Sequence, residues 1–200
     1  MNHRSIAAWL LAAAALVSAA ALCSAQAAGD ESGTIAMNGE SVRYLIRRLP
    51  VSSFPELPEA IANQLNSRGC MIPQTWQAHR PENVVHASLE GPGSSDWAVL
   101  CSVHGTASLL VFFGSAVGQP ITLASSPETE RLQPHGTSGE LGFNWGIDRA
   151  SPGRVHDAQA GLDQHQSPPD HDALADVTLG RRTIYHFYTH SAWTLLQTPE

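Results

Sequence analysis

The residues whose types and spacing could do chemistry gather late in the chain, where Asp170, Asp172 and Asp176 stand in a D-x-D-x-x-x-D spacing around His171. Three carboxylates so spaced can converge on one hard cation if the backbone wraps around it, and calcium, which takes about six to eight oxygens, is the ion such a loop suits. Ala173 stands where glycine would ease the tight turn. The same residues also suit a solvated acidic loop leading into a strand. Just upstream, His156, His165 and His171 lie beside Asp157, Asp163 and Asp170, which raises zinc. No H-E-x-x-H or comparable spacing puts two of those histidines on one face. His186 and His190 read as surface histidines of a hairpin. There is no G-x-S-x-G nucleophile elbow, and no segment presents a complete catalytic constellation.

The second piece of chemistry is sulfur. Residues 1–27 have the three parts of a secretory signal peptide: Arg4 as the positive start, Ile6 to Leu22 as the apolar run, and Ala25-Gln26-Ala27 as an A-x-A site. Cleavage is expected after Ala27, leaving residues 28–200 as a single exported domain, periplasmic or secreted. Two rival readings are a lipid anchor on Cys23, where Leu22 occupies a position that usually takes a small residue, and an uncleaved anchor, for which the run is short. After cleavage Cys70 and Cys101 remain, 31 apart, and an even pair in an oxidising compartment is most simply a disulfide. The competing use, a catalytic thiol with His104, suffers because Cys101 falls in a strand expected to be buried.

Several elements must position these groups. Val85, Ala87 and Leu89 alternate with Val84, His86 and Ser88, which predicts a strand with one buried face. Trp97 to Val103 is apolar on both alternating sets and predicts an interior strand covered on both sides. Ser108 to Phe113 completes a meander after the turn at His104-Gly105. Leu57, Ile61 and Leu65 recur every four residues and predict a helix over Pro58 to Arg68, ended by Gly69 in a left-handed cap. That stop presents Cys70, so a disulfide to Cys101 would pin the helix to the meander. Glu40 to Leu49, Ile121 to Ala124, Asn144 to Ala150, Thr183 to Tyr188 and Ala192 to Gln197 read as further strands. Residues 28–33 read as a flexible leader, 125–142 as a long loop, and 151–176 as a stretch without periodicity. The fold class is α+β: a mainly antiparallel β-sheet, one docked helix and a long loop-rich C-terminal half.

The turn between the first two meander strands carries a resemblance. Ala87-Ser88-Leu89-Glu90-Gly91-Pro92-Gly93-Ser94-Ser95-Asp96-Trp97-Ala98-Val99 resembles the FG-GAP or VCBS type of β-propeller repeat, which joins an aspartate-rich calcium loop to a strand. Glu90, Gly93 and Asp96 fall on that pattern's acid, turn glycine and closing aspartate, but Pro92 replaces a second acid, so this loop is expected to be metal-free. Asp170 to Asp176 resembles a second copy of the spacing. Two part-copies imply shared loop geometry, since a propeller needs about four to eight blades. Gly69-Cys70, Ile72-Pro73-Gln74, Asn83-Val84-Val85 and Asp96 to Ser102 together are similar to a set of secreted bacterial proteins without assigned function. That likeness implies no activity.

Composition narrows the partners. The chain has no lysine, and without Arg4 ten arginines face 18 acids, so no basic stripe for nucleic acid is visible. No stable membrane insertion is expected once the leader is removed. The leading expectation is an exported, non-enzymatic binding or interaction module for an unidentified protein or small-molecule ligand, with calcium as the candidate cofactor at Asp170, Asp172 and Asp176. The alternative is an extracytoplasmic metal-dependent hydrolase built on residues 156–176.

Overall fold

The computed structural model describes residues 29–160, 162, 167 and 169–198. The signal-peptide reading and Cys23, Asp163 and His165 lie outside the described residues.

The strands are β1 (Glu31–Met37), β2 (Glu40–Pro50), β3 (Met71–Gln74), β4 (Val84–Ala87), β5 (Asp96–Val103), β6 (Thr106–Phe112), β7 (Ile121–Pro127), β8 (Leu132–Pro134), β9 (Leu141–Phe143), β10 (Trp145–Ala150), β11 (Ala173–Thr178), β12 (Arg182–Thr189) and β13 (Ala192–Gln197). The helices are α1 (Glu59–Ser67) and α2 (Pro152–Asp157). A nine-stranded sheet runs β7-β6-β5-β3-β2-β9-β8, with β1 beside β2 and β4 beside β5. A four-stranded antiparallel sheet runs β10-β11-β12-β13. The one parallel pairing among the described residues is β2 with β9, at Tyr44 with Leu141 and Leu45 with Gly142. The mainly β, α+β expectation holds.

Four layers result, because the central strands are apolar on both faces. In β5, Ala98 and Leu100 join a core with Leu109, Phe143, Trp145, Ile147 and Leu174, so the two sheets share one interior. Trp97, Val99 and Cys101 point the other way and pack with Ile61 and Leu65 of α1. In β11, Leu174 enters the shared core while Ala173 and Ala175 pack under Val155 of α2. The order is therefore α1, nine-stranded sheet, four-stranded sheet, α2.

Local chemistry explains the expected elements. Helix α1 starts after Pro58 and stops at Gly69, whose φ of 71° is left-handed. The Cys70 N–H then donates to the Leu65 carbonyl at 3.0 Å and Gly69 N–H to Asn66 at 2.9 Å, which satisfies the helix end. Cys70 is bonded to Cys101 with a Cα–Cα distance of 5.4 Å. The staple joins α1's terminus to mid-β5. His104 and Gly105 both have positive φ, 50° and 77°, and close β5 onto β6 in a two-residue turn.

Three stretches differ from their sequence expectations. The leader reading at 28–33 is corrected from Glu31 onward, because β1 pairs with β2 and Glu31 and Glu128 both engage the Arg48 guanidinium. Residues 125–142 hold the end of β7, a 3-10 turn at Glu128–Arg131, β8 and the start of β9. Strands of three residues are too short to leave a period. Within 151–176, α2 and β11 form because each meets a partner surface distant in sequence.

Candidate functional site

The carboxylates picked out by spacing do not come together. Asp172 is buried, accepts from the Ser88 N–H at 3.1 Å and pairs with the Arg149 Nε at 2.9 Å. Asp176 lies four residues on, inside β11, about 13 Å further along an extended strand. Its Oδ1 accepts from the Trp145 Nε1–H at 2.6 Å, and its Oδ2 lies 3.2 Å from His186 Nε2. Asp170 is exposed, and its Oδ1 lies 2.9 Å from His171 Nδ1. That hydrogen bond holds the Asp170 carboxyl below its ordinary value. Among the described residues no group of three or more His, Cys, Asp or Glu side chains is placed to hold a metal ion. The zinc candidates separate as well: His156 and Asp157 are exposed on α2, and His171 is buried with Nε2 2.9 Å from the Tyr188 carbonyl. His186 is buried in β12, contrary to its surface reading, while His190 is exposed in the β12–β13 turn.

The glycine-bearing loop before β5 closes on the Asp96 carboxylate. Asp96 is fully buried, and its Oδ2 accepts from the Leu89 N–H at 2.8 Å, the Glu90 N–H at 2.7 Å and the Ser94 hydroxyl. Its Oδ1 accepts from the Gly114 N–H at 2.8 Å. Backbone amides thus fill the coordination that the propeller pattern reserves for a metal. The loop nevertheless meets the later acidic segment: Glu90, Gly91, Pro92, Asp170, His171 and His190 line one cleft of about 560 Å³.

A different cleft concentrates positive charge on an otherwise acidic chain. It has a volume of about 390 Å³ and is lined by Ser126, Glu130, Arg131, Leu132, Asn144, Thr178, Arg181 and Arg182. It sits where the chain changes sheets, since Asn144 is the single residue between β9 and β10. The Asn144 N–H donates to the Arg131 carbonyl at 2.8 Å, and its own carbonyl accepts from the Leu179 N–H at 2.9 Å. One residue thereby holds the turn before β8 against the β11–β12 hairpin that carries Arg181 and Arg182.

Arg131 is the centre of this cleft. Its guanidinium lies over the Trp145 ring at 4.1 Å, a cation–π contact whose ring plane is fixed by the indole N–H bond to Asp176. Burial lowers the Arg131 pKa; Asp176 and Glu130 act to raise it, and the like charge of Arg182 acts to lower it. Among the described residues no salt bridge joins a carboxylate to this half-buried guanidinium, and Asp176 and Glu130 act on it through their charge without a hydrogen bond. By contrast, the partly buried Arg48 is saturated by Glu31 and Glu128. Glu130 takes a long hydrogen bond from the Ser126 hydroxyl at 3.4 Å. The Asn144 Oδ1 is buried and has no partner among the described residues.

Sequence reasoning passed over Arg131, Asn144, Arg181 and Arg182. The signal available was Gly180-Arg181-Arg182, a glycine turn followed by paired arginines in a chain without lysine. Nothing in the sequence places Arg131 beside it, because that depends on the seam between the sheets. A four-layer, mainly β protein with an arginine-lined cleft at this seam is the class that fold and site define. Comparison with protein-family models, with curated proteins and with solved structures finds no match to this chain.

Proposed function

We propose that the protein is an exported, non-enzymatic binding module that takes a small anionic ligand into the cleft around Arg131. The observation that carries this reading is the half-buried Arg131 guanidinium, joined to no carboxylate by a salt bridge among the described residues, in a cleft shared with Arg181 and Arg182. Removing a cation from water is costly unless an anion compensates it; the charges of Asp176 and Glu130 offset part of that cost, and the repulsion between Arg131 and Arg182 adds to it. An oxyanion accepting the guanidinium N–H groups offsets both terms.

Export is part of the proposal, supported by the leader-like residues 1–27 and by the Cys70–Cys101 bond. Intact mass of the exported form should show a start at Ala28 without lipid. Among the described residues no helix is long and apolar enough to cross a membrane. The metal-dependent hydrolase reading of residues 156–176 has less support, since Asp172 and Asp176 already have protein partners.

The test is thermal melting and titration calorimetry of the full chain with sulfate, inorganic phosphate and chloride at constant ionic strength. An anion that binds only the folded state raises stability by about 2.7 kcal/mol at a hundred times its dissociation constant. The rise should occur with the multivalent oxyanions and be lost in Arg131→Leu and in Arg182→Ala, whose exposed side chain can be removed without disturbing the core. Identical curves in all three salts would overturn the reading.

A further inference from the structure

The chemistry of the lining narrows the ligand further, and this step rests on the anion-binding reading above. We propose that the cleft accepts a hydroxylated phosphomonoester, a sugar or polyol phosphate, with the phosphoryl group on the arginines and a hydroxyl on Glu130.

Charge sets the first requirement. Three guanidinium groups, of Arg131, Arg181 and Arg182, face one carboxylate, Glu130, in the lining, and the buried Asp176 acts on Arg131 from beside Trp145. A phosphomonoester, with about two negative charges at neutral pH and oxygens enough for more than one guanidinium, can engage Arg181 and Arg182 together with Arg131, whereas a carboxylate brings one charge and two oxygens. The Arg131 guanidinium lies over Trp145, which covers one of its faces. Its in-plane N–H groups are the ones left to donate, and forked donation to two oxygens of one tetrahedral oxyanion is what that edge does best.

Size and polarity set the second. A volume of about 390 Å³ falls within the range of roughly 300–1,000 Å³ that holds whole organic ligands, more than a bare oxyanion needs. Leu132 is the only apolar side chain among the described residues of the lining, so an apolar tail would find almost nothing to pack against. A hydroxyl group, in contrast, would meet an acceptor. Glu130 has one long bond among the described residues, from Ser126 at 3.4 Å, and that hydroxyl also approaches the Pro127 carbonyl at 3.2 Å. A hydrogen bond to an ionised acceptor is worth more than one to a neutral group, and Glu130 offers it at the edge of the arginine cluster. Sulfate and inorganic phosphate cannot place a carbon-borne hydroxyl there, and a free sugar cannot satisfy the arginines.

The test compares ribose 5-phosphate, inorganic phosphate, sulfate, succinate and ribose by calorimetric titration of the full chain at one ionic strength. Ribose 5-phosphate should bind at least about tenfold more tightly than inorganic phosphate, the factor that one or two net hydrogen bonds supply. Ribose alone should not bind. In Glu130→Gln, checked for an unchanged circular dichroism spectrum, phosphate should bind as well as before or better, while the advantage of the sugar phosphate shrinks about threefold or more. If phosphate and sulfate bind but the sugar adds less than a factor of about three, the hydroxylated class is overturned and the anion site stands. Succinate binding as tightly as ribose 5-phosphate overturns the phosphoryl assignment. If no anion binds, the anion-binding reading itself falls.

Discussion

Asp96→Ala removes a side chain with no access to solvent and leaves four donors without their acceptor. The Leu89 amide is buried, and a buried donor left unpaired costs about 1–3 kcal/mol, so about 2 is assigned to it. The Glu90 and Gly114 amides are partly buried and can recruit water, which reduces their cost to about 0.5–1 kcal/mol each. The Ser94 hydroxyl can rotate to the Gly91 carbonyl, which it already approaches at 2.9 Å, and adds little. The total is about 3–4 kcal/mol, a large share of the roughly 5–15 kcal/mol that stabilises a domain. Asp96→Asn keeps one acceptor oxygen on the Leu89 and Glu90 side but turns an NH2 toward the Gly114 amide, so about 1–2 kcal/mol is expected. Urea unfolding followed by tryptophan fluorescence, with the disulfide intact and equal slopes required, measures both. Alanine within about 1 kcal/mol of wild type, or asparagine as costly as alanine, would refute the account of this loop as closed by its carboxylate.

The paired substitution Cys70→Ala with Cys101→Ala should cost roughly 3.5 kcal/mol through the freed unfolded chain, and thiol labelling of the denatured, unreduced wild type should modify neither cysteine. Gly142→Ala should destabilise by about 1–3 kcal/mol, because a Cβ there would meet the Trp76 Cβ at 2.5 Å and the His135 ring at 2.8 Å; unchanged melting would mean that this packing is looser than it looks. Asp170 has a carboxyl lowered by the His171 hydrogen bond, so its contribution is present above the unfolded carboxyl pKa of about 3.9 and is lost as pH falls through the lower folded value. Asp170→Asn should therefore be less stable than wild type at neutral pH and converge with it in strong acid, as read by melting across pH. Millimolar calcium against chelator should leave the melting curve unchanged, since Asp172 and Asp176 are engaged in separate contacts; a calcium-dependent rise lost in Asp172→Ala would restore the loop as a metal site.

The residues that specify local structure did so openly. The four-residue recurrence of Leu57, Ile61 and Leu65 and the glycine at 69 determine α1 and its stop, because both act within one or two turns of chain. The doubly apolar run of β5 and the period of two in β4 determine the meander, whose strands are neighbours in sequence. Two cysteines beyond a leader-like start point to the staple from the sequence alone. What only the tertiary structure decided is where side chains from distant elements meet. Asp176 reads as a loop carboxylate until β10 and β12 flank β11 and give it Trp145 and His186. Arg131 reads as one charge in a polar stretch until Asn144, crossing between sheets, sets it against the turn that carries Arg181 and Arg182. Spacing along the chain limits what one loop can hold, but a cleft at the seam of two sheets is made by packing, and packing leaves no period in the sequence.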